Sequence, residues 1–439
     1  MGVLPMTSSS GKAFVYRRPF LLRNGLLLMS LSLIVSQSRS EASRAYPLGC
    51  SGENPSFYEY DKYPFPPPGV PTKTTDDYFI VERLGTGKFS DVFSAMEAEV
   101  SNHGHRAPEI EPKSLVVIKC LKPVTDRKIR RELLILSHAS KMPNHARLLA
   151  VVIHPKFYES QKDPGMLHRM PSLVLKHAGP DSQFFCHRAN NNHAVKPDKE
   201  AEFLSVYEIK YFLFHLLVAL DSLHSKGIIH RDVKPRNVLI TRGDGIHVGS
   251  KDGPGPLMLL DLGLADFYLP NTKYNVRVAS RHYKSPELLI GFQYYDYGVD
   301  LWPVGCMLAG LLFRREPFFR GKDNVDQLAK IVSVLGTPDL IAYISTINVD
   351  LSPDVRKTIT ECAAREGNKV GRRRVPWLSF RAAGTPMPSE ESLDLLDKLL
   401  VYDHNTRLTA QEAMAHPFFD DVRDRVTNEV RRMVAADSR

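Results

Sequence analysis

The chain has 439 residues, 43% hydrophobic and 24% charged, which excludes a disordered polypeptide and leaves room for one large two-part enzyme or several smaller domains. A net charge of +9 favours acidic partners without choosing among phosphate ligands, acidic peptides, nucleic acid and anionic lipid. The five cysteines (Cys50, Cys120, Cys186, Cys306 and Cys362) are widely spaced and form no CxxC or Cys/His cluster, which excludes a disulfide framework and a structural zinc site.

Residues 1–40 contain no Asp or Glu, and basic residues precede a short apolar run, Leu26–Val35. Small residues follow (Ser36, Ser38, Ser40, Ala42). This is the layout of a secretory signal peptide, and an acid-free, Ser- and Arg-rich leader also suits an organelle (plastid) transit peptide. We therefore expect a targeting segment over 1–42. The run is too short for a membrane span, and no other segment is apolar enough for one. Residues 43–76, with Pro66-Pro67-Pro68, read as an extended arm. A folded domain is expected over 77–419, followed by a C-terminal tail, 420–439.

Within the domain, Tyr78–Gly85 alternates and ends in glycine, as a strand entering a turn does. Asp91–Val100 reads as the returning strand and Leu115–Leu121 as a third. Lys128–Ser137 has helical spacing, with Ile129, Leu133 and Leu136 on one face. Strands recur near 148–152 and 173–175. The pattern then turns helical: a long apolar helix from Val206 ended by Gly227, then Val299–Leu312, Asn324–Leu335, Glu390–Leu400 and Ala410–Ala415. Three segments read as loops: 103–113, 179–199 and 242–256. A small strand-rich part followed by a larger helical part argues an α+β fold of two lobes with a cleft between them.

The motifs follow in chain order. Gly85-Thr86-Gly87-Lys88-Phe89-Ser90-Asp91-Val92 is a glycine turn whose backbone N–H groups can approach phosphate oxygens. It is no dinucleotide fingerprint, because a strand follows it and the third glycine is Ser90. Lys119, in Val116-Val117-Ile118-Lys119, can hold phosphates if a carboxylate orients it, and Glu132 on the next helix is the candidate. His230-Arg231-Asp232-Val233-Lys234-Pro235-Arg236-Asn237 supplies a carboxylate for a hydroxyl proton, a lysine for the transferring phosphate and an amide for a metal ion. Asp261-Leu262-Gly263 offers a second metal ligand. Glu287 and Arg407 are expected to form a buried ion pair, and Asp300 opens the helix that supports the catalytic loop. Pro303 on that helix is expected in its first turn.

These motifs occur once each and in the order of eukaryotic protein kinases. From Asp77 to Phe419 the chain resembles the catalytic α subunit family of casein kinase 2. The likeness is carried by GTGKFSDVF, CLKPVTDRKIRRE, YNVRVASRHYKSPELL (Tyr274–Leu289), the stretch Tyr294–Thr337 and KLLVYDHNTRLTAQEAMAHPFF (Lys398–Phe419). Residues 43–63 weakly resemble the family's N-terminal segment, which braces the activation loop.

The resemblance implies the two-lobed protein kinase fold, Mg2+, and ATP with GTP as a second donor. It implies serine/threonine kinase activity without activation-loop phosphorylation, on substrates with acidic residues downstream. A regulatory β subunit dimer is an implied partner; direct nucleic-acid binding is not expected, because no RRM, zinc or helix-turn-helix signature is present. The implied nucleotide site comprises Leu84, Gly85, Thr86, Gly87, Lys88, Phe89, Ser90, Asp91, Val92, Val117, Lys119, Leu175, His177, Leu239 and Leu260. Catalytic roles fall to Asp232, Lys234, Lys119 and Glu132, and metal ligation to Asn237 and Asp261. Substrate acid would be read by Arg277, Arg281 and Lys284, and by a second basic stretch of Lys122, Arg127, Lys128, Arg130 and Arg131. Departures are Thr125 and Asp126 in place of lysines, Leu262 for Phe, Leu175 for a gatekeeper Phe, Lys176 for a hinge Glu, and longer loops at 179–199 and 242–256. A scaffold lacking activity is disfavoured because Lys119, Asp232, Asn237 and Asp261 are all present. Lys234 and the activation segment argue against a lipid or small-molecule kinase.

Overall fold

The computed structural model describes residues 64–101, 109–153, 170–179, 182–185, 203–241, 257–365 and 374–437. The expected targeting segment, residues 43–63 of the arm, the loop 242–256 and most of the loop 179–199 lie outside the described residues, as do Cys50 and Cys186.

Alternating, β-branched sequence builds the small lobe as a sheet. Its elements are β1 (Thr72–Lys73), β2 (Tyr78–Thr86), β3 (Ser90–Ser101), β4 (Glu109–Leu121), helix α1 (Asp126–Ala139), β5 (Leu148–Val152) and β6 (Ser172–Lys176). The order is β1-β5-β6-β4-β3-β2, antiparallel except for the β1–β5 pair. The sequence reading starts the folded part at Asp77, but the structure starts it earlier. Thr72 and Lys73 pair with Val151 and Val152, so the end of the arm forms a sheet edge. β4 likewise reaches back to Glu109, into a segment read as loop.

Register divides the sheet into two faces. One carries Ala95, Val116, Ile118 and Val174, which bury together with Tyr78, Ala150 and Val152. The other carries Val92 opposite Lys119 and Val117 opposite Leu175, and this face meets the cleft. α1 buries Ile129, Leu133 and Leu136, the face its spacing predicts.

The large lobe follows a short strand, β7 (Ser182–Phe184). Helix α2 (Val206–His224) is apolar nearly all round and buried along most of its length. Ser205 and Glu208 close a capping box at its start, and Gly227, at φ +72°, turns the chain after it. Short strands β8 (Ile228–Ile229), β9 (Val238–Thr241), β10 (Leu257–Leu259) and β11 (Asp266–Phe267) line the floor of the cleft. Helices α3 (Pro286–Leu289), α4 (Gly298–Leu312), α5 (Asn324–Leu335), α6 (Pro338–Ile347), α7 (Pro353–Arg365), α8 (Glu390–Leu399), α9 (Ala410–Met414) and α10 (Asp420–Asp437) complete the lobe. Among the described residues no helix is long and apolar enough to cross a membrane.

Three differences from the sequence reading stand out. α6 and α7 fill a stretch with no predicted helix. Pro303 lies in the second turn of α4 rather than the first, where its missing N–H deprives the Val299 carbonyl of its helical donor. The expected C-terminal tail is a packed helix: α10 buries Val422, Val426 and Val430, spaced four apart, and lies against α2. The Tyr211 hydroxyl donates to Glu429 at 2.6 Å across that contact. Burial raises the Glu429 carboxyl, but bonds from His215, Tyr211 and Arg425 outweigh it and hold it at about 2.

Candidate active site

The cleft is built where the sheet meets the short strands of the large lobe. From above come Lys119 on β4 and Glu132 on α1. Lys119 Nζ donates to Glu132 Oε1 at 2.7 Å and to Asp261 Oδ1 at 2.8 Å. Burial opposes the ammonium charge, yet the two carboxylates outweigh it and raise the Lys119 pKa. The same balance acts in reverse on Asp261, where desolvation pushes up and the Lys119 charge pulls the carboxyl down to about 2. Asp261 takes a left-handed backbone conformation, φ +65°, followed by buried Leu262. The glycine at 263 permits this approach, since a Cβ there would meet Glu132 Oε2 at 3.2 Å.

Below, Asp300 at the start of α4 fixes the catalytic loop. Its carboxylate accepts the N–H groups of His230 and Arg231, both at 2.8 Å, and pairs with His224 Nε2 at 3.0 Å. Arg231 is held at φ +63°, a conformation that a non-glycine residue keeps only when its surroundings enforce it. The loop presents Asp232, which is 5% exposed. Asp232 Oδ2 accepts from Lys234 Nζ at 2.5 Å and from Asn237 Nδ2 at 3.2 Å, while Oδ1 accepts from the Ser280 hydroxyl at 3.0 Å. Asn237 Nδ2 also donates to the Asp232 carbonyl at 2.8 Å, which leaves its amide oxygen as the atom for a cation. That oxygen and the Asp261 carboxylate are hard donors of the kind that would suit Mg2+.

Glu287 and Arg407 brace the lobe beneath. They meet through two bonds of 2.8 and 3.0 Å, both side chains fully buried. Burial raises the carboxyl, and the guanidinium overcomes this and lowers it.

A family model of the protein kinase domain matches residues 78–419. The chain belongs to the protein kinase family. The kinase is a transferase that uses ATP, typically with Mg2+, on protein substrates.

The expected nucleotide residues come from the glycine loop, the sheet and the short strands of the large lobe. Val92, Val117 and Leu175 share the cleft face of the sheet, half-buried, and Leu239 on β9 and Leu260 after β10 lie half-buried on the floor. His177 sits just beyond β6, where its Nδ1 accepts the Gly179 N–H at 3.0 Å and burial lowers its pKa. Leu84 and Phe89 are exposed at the edge of the glycine loop. Lys88 Nζ and Lys128 Nζ lie 5.3 and 5.9 Å from the Phe89 ring centre.

Three of the basic residues expected to read substrate acid have acceptors within the kinase itself. Lys284 is buried and donates to the Val276 and Val278 carbonyls, so it ties the activation segment to itself. Burial lowers its pKa. Arg131 turns inward to Asp266 Oδ2 at 2.9 Å, and Lys122 turns to the glycine loop. Arg277, Arg281, Arg127 and Lys128 are exposed.

Sequence reasoning missed two groups. Ser280 carries no role in the sequence reading, yet its hydroxyl donates to Asp232 and accepts from Lys234 Nζ at 3.0 Å. Asp266 was not singled out, yet its Oδ2 accepts from Arg131 of α1 and from Arg231 of the catalytic loop at 2.8 Å. Its spacing, five residues after the metal aspartate, was the one available signal.

Proposed function

We propose that the kinase transfers the γ-phosphate of ATP, with GTP as a second donor, to serine or threonine in acidic sequence contexts. On this reading it is a non-specific serine/threonine kinase like the casein kinase 2 catalytic subunits. One observation carries the acidic preference. The Ser280 hydroxyl touches the catalytic carboxylate, and the next residue, Arg281, is exposed, so a solvent-facing cation follows directly on the residue that contacts the hydroxyl acceptor. Exposed Arg277 lies on the same segment. Clustered guanidinium groups bind carboxylates through paired, charge-assisted hydrogen bonds.

In the proposed mechanism Asp232 accepts the seryl or threonyl O–H and orients its oxygen for in-line attack. Lys234, held between Asp232 and Ser280, offsets charge on the transferring group. Lys119, fixed by Glu132, holds the non-transferring phosphates. Asn237 and Asp261 would hold Mg2+, which would supply positive charge against the phosphates. A regulatory β subunit dimer and a targeting role for residues 1–42 belong to this reading.

The test is Arg281→Ala, assayed on a serine peptide with downstream Asp/Glu and on the same peptide with Ala there. KM for the acidic peptide should rise about tenfold, the range of one or two charged hydrogen bonds, while the neutral peptide is unaffected. Equal effects on both peptides would withdraw the acidic preference and leave the kinase.

A further inference from the structure

Lys122 lies three residues past Lys119, where β4 ends. Its ammonium donates to the Gly87 carbonyl at 2.8 Å and lies 3.0 Å from Asp91 Oδ1 and 3.3 Å from Thr86 Oγ1. Its backbone N–H donates to the Phe89 carbonyl at 2.8 Å. The Thr86 hydroxyl donates to the Asp91 carboxylate. That bond comes first, and the Lys122 ammonium second, in lowering the Asp91 pKa.

Register shows which side of the sheet this network occupies. Thr86 pairs with Asp91 and Asp91 with Cys120, whereas Gly85 pairs with Val92 and Val92 with Lys119. Side chains alternate along a strand, so Thr86, Asp91 and Lys122 lie on the face away from Lys119. The cleft face is left to the nucleotide.

A trans peptide unit points its C=O and its N–H in opposite directions. With the Gly87 carbonyl held toward Lys122, the Lys88 N–H of the same unit turns toward the cleft face. The Gly87 N–H is already closed onto the Ser90 carbonyl at 2.8 Å. Lys88 N–H is thus a donor that the loop can aim at an anion, and Lys122 sets its direction.

We propose that Lys122, held in place by Thr86 and Asp91, is a positioning residue that orients the glycine loop so that its backbone N–H groups face the nucleotide phosphates. It acts through the loop and touches neither nucleotide nor peptide.

The test uses the full chain with Lys122→Met, Lys122→Arg and Asp91→Asn, measuring dissociation constants for ATP, ADP and adenosine and KM for an acidic serine peptide. Lys122→Met should weaken ATP and ADP about three- to tenfold, the value of one hydrogen bond, and leave adenosine and the peptide KM unchanged. Lys122→Arg should recover most of the loss. Asp91→Asn separates positioning from a simple charge effect. Removing a negative charge near the phosphates would by itself tighten ATP, whereas loosening Lys122 weakens it, and weakening is expected. Tighter ATP in Asp91→Asn, equal losses for ATP and adenosine in Lys122→Met, no change in any ligand, or a raised peptide KM with normal ATP binding would each overturn the proposal.

Discussion

At the scale of single residues, Asp232 collects hydrogen bonds from Lys234, Asn237 and Ser280 while remaining 5% exposed. A carboxylate so held cannot swing away from an incoming hydroxyl. Asp232→Asn keeps the shape and removes the proton acceptor, so turnover should fall by about 10²–10⁴ while ATP affinity is preserved. A single-turnover assay beside an ATP titration checks both halves, and normal turnover would remove Asp232 from the mechanism. The chemistry of this residue was legible because its partners are contiguous: Asp232, Lys234 and Asn237 lie within six positions. The partners of Lys284, Lys122 and Arg131 were not legible, for the opposite reason. A basic residue in sequence carries a charge but no direction. Lys284 folds back on carbonyls six and eight residues earlier in its own segment, while Lys122 finds acceptors as far as 36 residues away and Arg131 as far as 135.

Among elements, the decisive contact is the one that holds α1 against the large lobe. Asp266 on β11 accepts from Arg131 of α1 and Arg231 of the catalytic loop on a single oxygen. It ties the helix bearing Glu132 to the loop bearing Asp232. A fixed carboxylate does here what a regulatory phosphate would do by adding charge. Asp266→Asn should lower kcat about tenfold or more, since two charge-assisted bonds weaken together, and should leave peptide KM nearly unchanged. A kcat within twofold of the parent would show that α1 is held by its apolar face alone. The strands and the long helices were legible because alternation marks β2 and β4, 3.6-residue spacing marks α1, and a long apolar run marks α2. α10 was not, because its buried residues are three valines spaced among charges, a weak helical signal whose stability comes from packing against α2.

For the molecule as a whole, buried neutral histidines set the response to acid. His145 stands where the segment after α1 joins β10 and α2; its Nε2 lies 2.9 Å from the Ala219 carbonyl and 3.1 Å from the Ser222 hydroxyl. Burial lowers its pKa to about 4, and burial also lowers those of His138 and His215. A histidine depressed in the folded state gains its proton first in the unfolded chain. Stability therefore falls as pH drops from about 6.5 toward 4, by up to about 3 kcal/mol for His145. Tm should decline across that window, and His145→Gln should flatten the decline; an equal slope in the variant would place the acid sensitivity elsewhere. The packing of α10 on α2 has a consequence for synthesis. Tyr211 and Glu429 are separated by 218 residues, so α2 leaves the ribosome long before its polar partner exists. Until residue 429 emerges, the Tyr211 hydroxyl and the His215 ring must remain wet or be shielded by other proteins. The large lobe is thus sealed by residues translated long after α2, and a nascent chain stalled short of them holds its catalytic loop on an unfinished core.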